Sequence, residues 1–182
     1  LTAQAERLAK LHREAQNLRV KVVRADQIYN EFSSGTPDAS AYRRYLKMLY
    51  DRAASTADAP RYLLLFGNCA YDNRMITSEW KKENPDNYLL AYERSSTEND
   101  SGTYGIGSLN DFVTDDYYAL LDDNEGANIT YEKIDLGVGR FICTTEEEAK
   151  QLVDKTQRYL FNREPGAWQN RMWAIGDVGD NN

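Results

Sequence analysis

Carboxylates are the densest group of chemically active side chains in this sequence. Within fifteen positions stand Asp111, Asp115, Asp116, Asp122, Asp123 and Glu125, with no Lys or Arg between them. Carboxylate oxygens without cationic partners suit a hard cation such as Ca²⁺, or a cationic side chain of a ligand. The stretch DDNEG has this oxygen-rich composition, although it lacks EF-hand spacing. We therefore predict calcium ligands at Asp122, Asp123 and Glu125, with a solvated acidic turn as the alternative.

The thiols are the next candidates, because a cysteine beside a histidine can act as a nucleophile. The sequence has two cysteines, Cys69 and Cys143, and one histidine, His12. His12 falls in the middle of a predicted helix, far from the strand end that carries Cys69. We therefore predict no catalytic residue within this chain. A single histidine also argues against a Ser-His-Asp triad and a His-rich zinc site.

Length and charge limit the classes of protein to which the chain can belong. Its 182 residues suit one α/β domain or a large piece of a bigger one, and both ends are expected to be cuts in a longer polypeptide. The net charge of −7 argues against a general nucleic-acid binder. No apolar run approaches the roughly 20 residues of a membrane span.

Amphipathic helices and apolar strands must position these side chains. Apolar side chains spaced three and four residues apart predict helices over 1–18 and 38–53. A third helix is predicted from a capping box at Thr145 to Leu160. Apolar or β-branched runs predict strands over 19–25, 61–67, 133–142 and 171–177. The stretch 68–132 is an irregular insert, in which 87–94 is read as a strand and 111–121 as a strand or short helix.

Helices that alternate with strands predict an α/β fold with a mostly parallel sheet and helices on both faces. In such sheets, functional sites form at the carboxyl ends of the strands. Those ends carry Gly67-Asn68-Cys69, Arg140-Phe141 and Gly176-Asp177.

Several stretches together resemble one family of proteins. YLLLFGNCAYDNR, LNDFVTDDYYALLDDNEG and KIDLGVGRFICTTEEEAKQLVDKTQRY are similar to segments of the gingipain family of cysteine peptidases. The likeness covers nearly the whole chain, and it is strongest to the branch of type IX secretion sortases of Bacteroidetes, which process C-terminal sorting signals.

The resemblance implies a caspase-like fold of two subdomains, of which residues 1–182 form the first. In the family, the catalytic histidine and cysteine lie in the later subdomain, which agrees with their absence here. Thr114-Asp115, followed by Tyr118, resembles the segment in which arginine-specific gingipains place the aspartate of their specificity pocket. The resemblance therefore implies that Asp115 binds substrate and favours a basic residue before the scissile bond; the alternative is that Asp115 only caps a turn.

Two functions remain open at this point. The chain is either half of a secreted or cell-surface cysteine endopeptidase, or a non-catalytic binding or scaffold module with the same fold. In the first case its partners are a polypeptide substrate and the second subdomain of the same chain. Beyond Ca²⁺ at the acidic segment, no cofactor is predicted, and neither nucleic acid nor a membrane span is expected.

Overall fold

The computed structural model describes residues 1–94, 112–127, 129 and 131–174. The α-helices are α1 Thr2–Gln16, α2 Ala25–Phe32, α3 Ala39–Asp51 and α4 Glu146–Leu160. The strands are β1 Tyr62–Phe66, β2 Tyr92–Arg94, β3 Phe112–Thr114 and β4 Gly137–Phe141. Short 3₁₀ turns cover Pro85–Asn87, Asp116–Ala119 and Ala167–Asn170.

Strands β1 and β4 pair in parallel, with Tyr62 opposite Gly137 and Phe66 opposite Phe141. This parallel sheet with its helices confirms the predicted α/β fold. Strands β2 and β3 form a separate antiparallel pair. Among the described residues, no helix combines the length and the hydropathy needed to cross a bilayer.

The core lies between α3, β1 and the turn that follows β3. Its buried side chains are Tyr42, Leu46, Leu65, Tyr117, Tyr118, Ala119, Leu121 and Leu136. Tyr118 is fully buried, and its ring meets that of Tyr42 edge to face with centroids 5.4 Å apart. Edge-to-face contact is a favoured aromatic geometry, so this pair fixes the turn after β3 against α3.

The helix starts follow the predicted caps. The Asp38 carboxylate accepts the backbone N–H of Ser40 at 2.8 Å at the start of α3. At the start of α4, Thr145 and Glu148 form the predicted capping box. Each cap satisfies backbone donors that the first helical turn leaves free.

The structure differs from the predicted elements at several points, and the strands predicted over 87–94 and 133–142 are shortened to β2 and β4. Residues 19–24 form no strand, because nothing in the described part of the chain pairs with them, and α2 begins at Ala25. The stretch 111–121 contains both predicted alternatives, since β3 leads directly into the turn Asp116–Ala119. The strand predicted over 171–177 is absent from 171–174, and its remainder lies outside the described residues.

Candidate functional site

The carboxyl ends of the strands are joined by a two-point ion pair between Arg140 and Asp115. Arg140 Nε donates to Asp115 Oδ2 at 2.8 Å, and Nη2 donates to Oδ1 at 2.7 Å. The Arg140 side chain is 8% exposed and that of Asp115 is 24% exposed. A planar guanidinium matches a carboxylate in this fork geometry, so the pair is both strong and directional.

The remaining contacts of Arg140 tie further segments to this pair. Its Nη1 donates to the carbonyl of Gly67 at 3.1 Å, just after β1, and Nη2 also donates to the carbonyl of Leu90 at 3.2 Å. One side chain on β4 thus links the end of β1, the segment before β2 and the residue after β3. Gly67 and Arg140 therefore meet at the predicted strand edge, whereas Gly176-Asp177 lies outside the described residues.

Local hydrogen bonds hold Asp115 at this edge. The Thr114 hydroxyl accepts the backbone N–H of Asp116 at 3.1 Å, and the carbonyl of Asp115 accepts that of Tyr118 at 3.1 Å. The Tyr118 hydroxyl donates to the carbonyl of Leu90 at 2.9 Å. The turn that carries Asp115 is consequently fixed to the same segment as Arg140.

Burial and charge both act on the ionisable groups of this site. Burial disfavours the charged guanidinium, but the hydrogen bonds that Arg140 donates to Asp115 outweigh it, so the pKa of Arg140 is raised. Burial raises the pKa of the Tyr118 hydroxyl, and the nearby charge of Asp115 adds to that effect. Both side chains therefore keep their protons at neutral pH.

The cysteines and the histidine belong to different segments of the fold: Cys69 follows β1, Cys143 precedes α4, and His12 lies on α1. Cys69 is half-buried. Cys143 is buried, and its burial raises the pKa of its thiol. His12 lies on α1, where its Nδ1 is 2.7 Å from Gln16 Oε1. Among the described residues, therefore, the imidazole contacts a glutamine of its own helix rather than a thiol.

The expectation that the acidic segment lacks Lys and Arg partners is wrong. Besides the Arg140–Asp115 pair, Lys47 Nζ donates to Asp123 Oδ1 at 2.9 Å. These cations come from α3 and β4, which are remote in sequence, and so a local reading could not find them. Asp116 opens the 3₁₀ turn, and Asp111 lies outside the described residues.

One face of α3 holds residues 120–126, which we call the acidic loop. Arg43 donates to the carbonyls of Leu120 and Glu125 at 2.6 and 2.7 Å. The Tyr50 hydroxyl, two helical turns further on, donates to Asp122 Oδ1 at 2.9 Å. With Lys47 between them, these side chains follow helical spacing along α3.

A group of three carboxylates in and beside the acidic loop could hold a metal ion. Asp122, Glu125 and Asp135 each place one oxygen within 4.8 Å of the others. Calcium–oxygen distances of about 2.3–2.6 Å allow oxygens at this separation to share one ion. Of the predicted ligands, Asp122 and Glu125 therefore meet in space. Asp123 instead faces Lys47, and its role as a ligand stays a prediction.

The sequence does not point to Asp135 as a ligand, because this residue falls within the stretch 133–142 that predicts a strand. It lies before β4, and its Oδ2 accepts the backbone N–H of Leu121 at 2.6 Å. A carboxylate two residues before a glycine-containing strand carries no signal of its own. Asp135 joins the group of three carboxylates only because the segment before β4 lies beside the acidic loop in the folded chain.

The fold and the sequence together define the family. The model of peptidase family C25, the gingipain family, matches residues 1–182, and the chain belongs to that family. The resemblance inferred from the sequence motifs is therefore confirmed. Among curated proteins there is no significant match.

A solved structure gives a more specific likeness. The chain is similar to dimeric latent PorU from Porphyromonas gingivalis, with 42% sequence identity and a TM-score of 0.76. The match covers 94% of this chain and 16% of the PorU chain. The chain thus corresponds to a small part of that protein's length.

Proposed function

We propose that this chain is the first subdomain of the peptidase domain of a PorU-like cysteine endopeptidase, in which it forms part of the substrate pocket. The observation that carries the proposal is the similarity to PorU at 42% identity over 94% of the chain. Since that match spans only 16% of the PorU chain, there is ample length for a second subdomain elsewhere in such a protein.

In this proposal Asp115 lines the pocket, and the nucleophile and its base come from the second subdomain. The position of Asp115 supports this role, because its carboxylate pairs with Arg140 near the carboxyl end of β4, where sites of parallel sheets form, and stays partly exposed. The burial of Cys143 and the contact of the His12 imidazole with Gln16 of its own helix favour a nucleophile outside residues 1–182.

The substrate in this proposal is a polypeptide, and the protein acts at the cell surface or in the secreted fraction as part of type IX secretion. Membership of a peptidase family supports the substrate class. The likeness to PorU supports the sortase branch rather than a general digestive peptidase.

The proposal is tested by labelling the intact parent protein with a thiol-directed peptidyl probe and mapping the modified residue. We expect one labelled cysteine outside residues 1–182, and equal labelling in a Cys69→Ser variant. A Cys143→Ser variant serves as the matched control for a buried thiol.

Labelling at Cys69 that disappears in His12→Ala would contradict the proposed division of roles. A protein that reacts with no probe and cleaves no peptide would instead favour the non-catalytic scaffold module.

A further inference from the structure

We propose that Arg140 determines the specificity of this pocket: it neutralises Asp115, so that the residue before the scissile bond is uncharged rather than basic. This inference rests on the proposed function and deepens it by naming the substrate class. It replaces the preference for a basic residue that the family resemblance implies.

The guanidinium of Arg140 already occupies the carboxylate of Asp115. Both carboxylate oxygens of Asp115 already accept hydrogen bonds from Arg140, at 2.8 and 2.7 Å. A substrate arginine would use this same two-point geometry to bind a carboxylate. Arg140 therefore occupies the position that a substrate guanidinium would take.

The charge of Arg140 also disfavours a substrate cation beside Asp115. The Arg140–Asp115 pair carries no net charge, so a substrate cation that approaches Asp115 also approaches the guanidinium of Arg140. Attraction and repulsion over similar distances largely cancel. A Lys or Arg substrate would lose much of its hydration at this edge without gaining a free anion.

Arg140 is also held in place by contacts other than that with Asp115. Its remaining contacts are to the carbonyls of Gly67 and Leu90, and its side chain is only 8% exposed. Displacing it would leave a buried cation and the carbonyl of Gly67 without these partners, while the carbonyl of Leu90 would keep the Tyr118 hydroxyl. Such groups are costly to leave unpaired, so a substrate cation gains little by exchange.

The acceptor positions of the Asp115 carboxylate that Arg140 leaves free suit an uncharged hydrogen-bond donor of the substrate. A carboxylate has about four acceptor positions, and Arg140 uses two of them. The side chain is 24% exposed, so the other positions are within reach of a ligand. A side-chain amide or hydroxyl can bind there without meeting the repulsion that a cation meets.

The first experiment compares peptides that differ only in Gln, Arg or Lys before the scissile bond, cleaved by the intact parent protein. We expect kcat/KM for Gln to exceed that for Arg or Lys by about threefold or more, and Gln to remain preferred in Asp115→Asn. A preference for Arg of about tenfold or more that Asp115→Asn abolishes would overturn the proposal.

A second experiment does not depend on activity. In the parent protein with Arg140→Ala, methylguanidinium should enter the vacated position and raise the melting temperature, whereas wild type should not respond. The double variant Arg140→Ala/Asp115→Asn is the matched control and should not respond.

The outcomes separate the two proposals. If no peptide is cleaved, the proposed function fails, while methylguanidinium still tests Arg140. If Arg140→Ala does not fold, wild type and Asp115→Asn decide the matter: stabilisation of wild type by methylguanidinium that Asp115→Asn removes would overturn the inference. Indifference of both proteins to methylguanidinium would support it.

Discussion

Lys47 of α3 donates a hydrogen bond to the carboxylate of Asp123, 76 residues further along the chain, at 2.9 Å. The same ammonium also binds Asp51 and the carbonyl of Leu121. Asp123 therefore faces the helix, while Asp122 and Glu125 group with Asp135. Two of the three predicted calcium ligands, Asp122 and Glu125, thus belong to the carboxylate group, and its third member is Asp135 rather than Asp123.

Millimolar Ca²⁺ is expected to raise the melting temperature of this chain, because a ligand of the folded state stabilises it by mass action. At ten times its dissociation constant the gain is about 1.4 kcal/mol, or roughly 3–6 °C for a domain of this size. Calorimetry in Ca²⁺, in Mg²⁺ and in chelator measures this rise in melting temperature. Mg²⁺ should raise the melting temperature less than Ca²⁺ does. Glu125→Gln should abolish the response and Asp123→Asn should keep it. Identical melting curves in Ca²⁺ and chelator would leave a solvated acidic loop.

Arg140→Lys is expected to destabilise the chain although it keeps the charge. A lysine cannot reproduce the fork to Asp115 together with the bonds to Gly67 and Leu90. We expect a loss of about 2–4 kcal/mol in the free energy of unfolding, measured by urea denaturation. Asp154→Asn, which breaks the partly exposed pair with Arg7, is the control and should cost less than about 1 kcal/mol. Equal losses would show that burial adds nothing to the Arg140–Asp115 pair.

Glu148 should make stability depend on pH in the acidic range. Hydrogen bonds from the backbone N–H groups of Thr144 and Thr145 lower the pKa of Glu148 below its ordinary value of 4.5. A lowered pKa contributes stability above that ordinary value, and the contribution is lost as pH falls through the folded-state pKa. The melting temperature should therefore fall less between pH 6 and pH 3 in Glu148→Gln than in wild type. Parallel pH profiles would contradict this role.

Gly126→Ala is expected to destabilise the acidic loop. Gly126 has a φ of +95°, and an added Cβ would lie 3.0 Å from Arg43 Cζ, a guanidinium already bonded to loop carbonyls. A cost of about 1–2 kcal/mol follows from the backbone conformation and the contact together. Gly139→Ala, whose Cβ would lie 3.8 Å from Leu64 Cδ1, is the matched control. Thermal denaturation of both variants measures the difference, which should vanish if the loop adapts.

Periodicity carried most of the helix and strand predictions, whereas pairing did not follow from it. The stripes of α1, α3 and α4 and the apolar run of β1 are local signals, and the structure confirms them. Residues 19–24 have a strand composition, but a strand exists only where a neighbour pairs with it. The short α2 spans two turns and offers too few positions for a helical repeat to stand out.

The candidate site was only half accessible from the sequence for a related reason. Asp115 and the carboxyl ends of the strands could be named from the motif and the fold rules. The sequence also places Arg140 at a strand end, but its pairing with Asp115 could not be predicted, since the two residues are 25 positions apart and join through tertiary structure alone. The same holds for Asp135 beside the acidic loop.

The separation of β1 from β4 along the chain has a consequence during synthesis. Gly67 and Arg140, which meet at the strand edge, lie 73 residues apart. At roughly 5–20 residues per second, a ribosome needs about 4–15 seconds to deliver the second strand after the first. During that interval β1 lacks its parallel neighbour β4, and its apolar run can pair with another nascent strand. Chaperone protection of the emerging chain should therefore matter most between the appearance of residue 66 and that of residue 141.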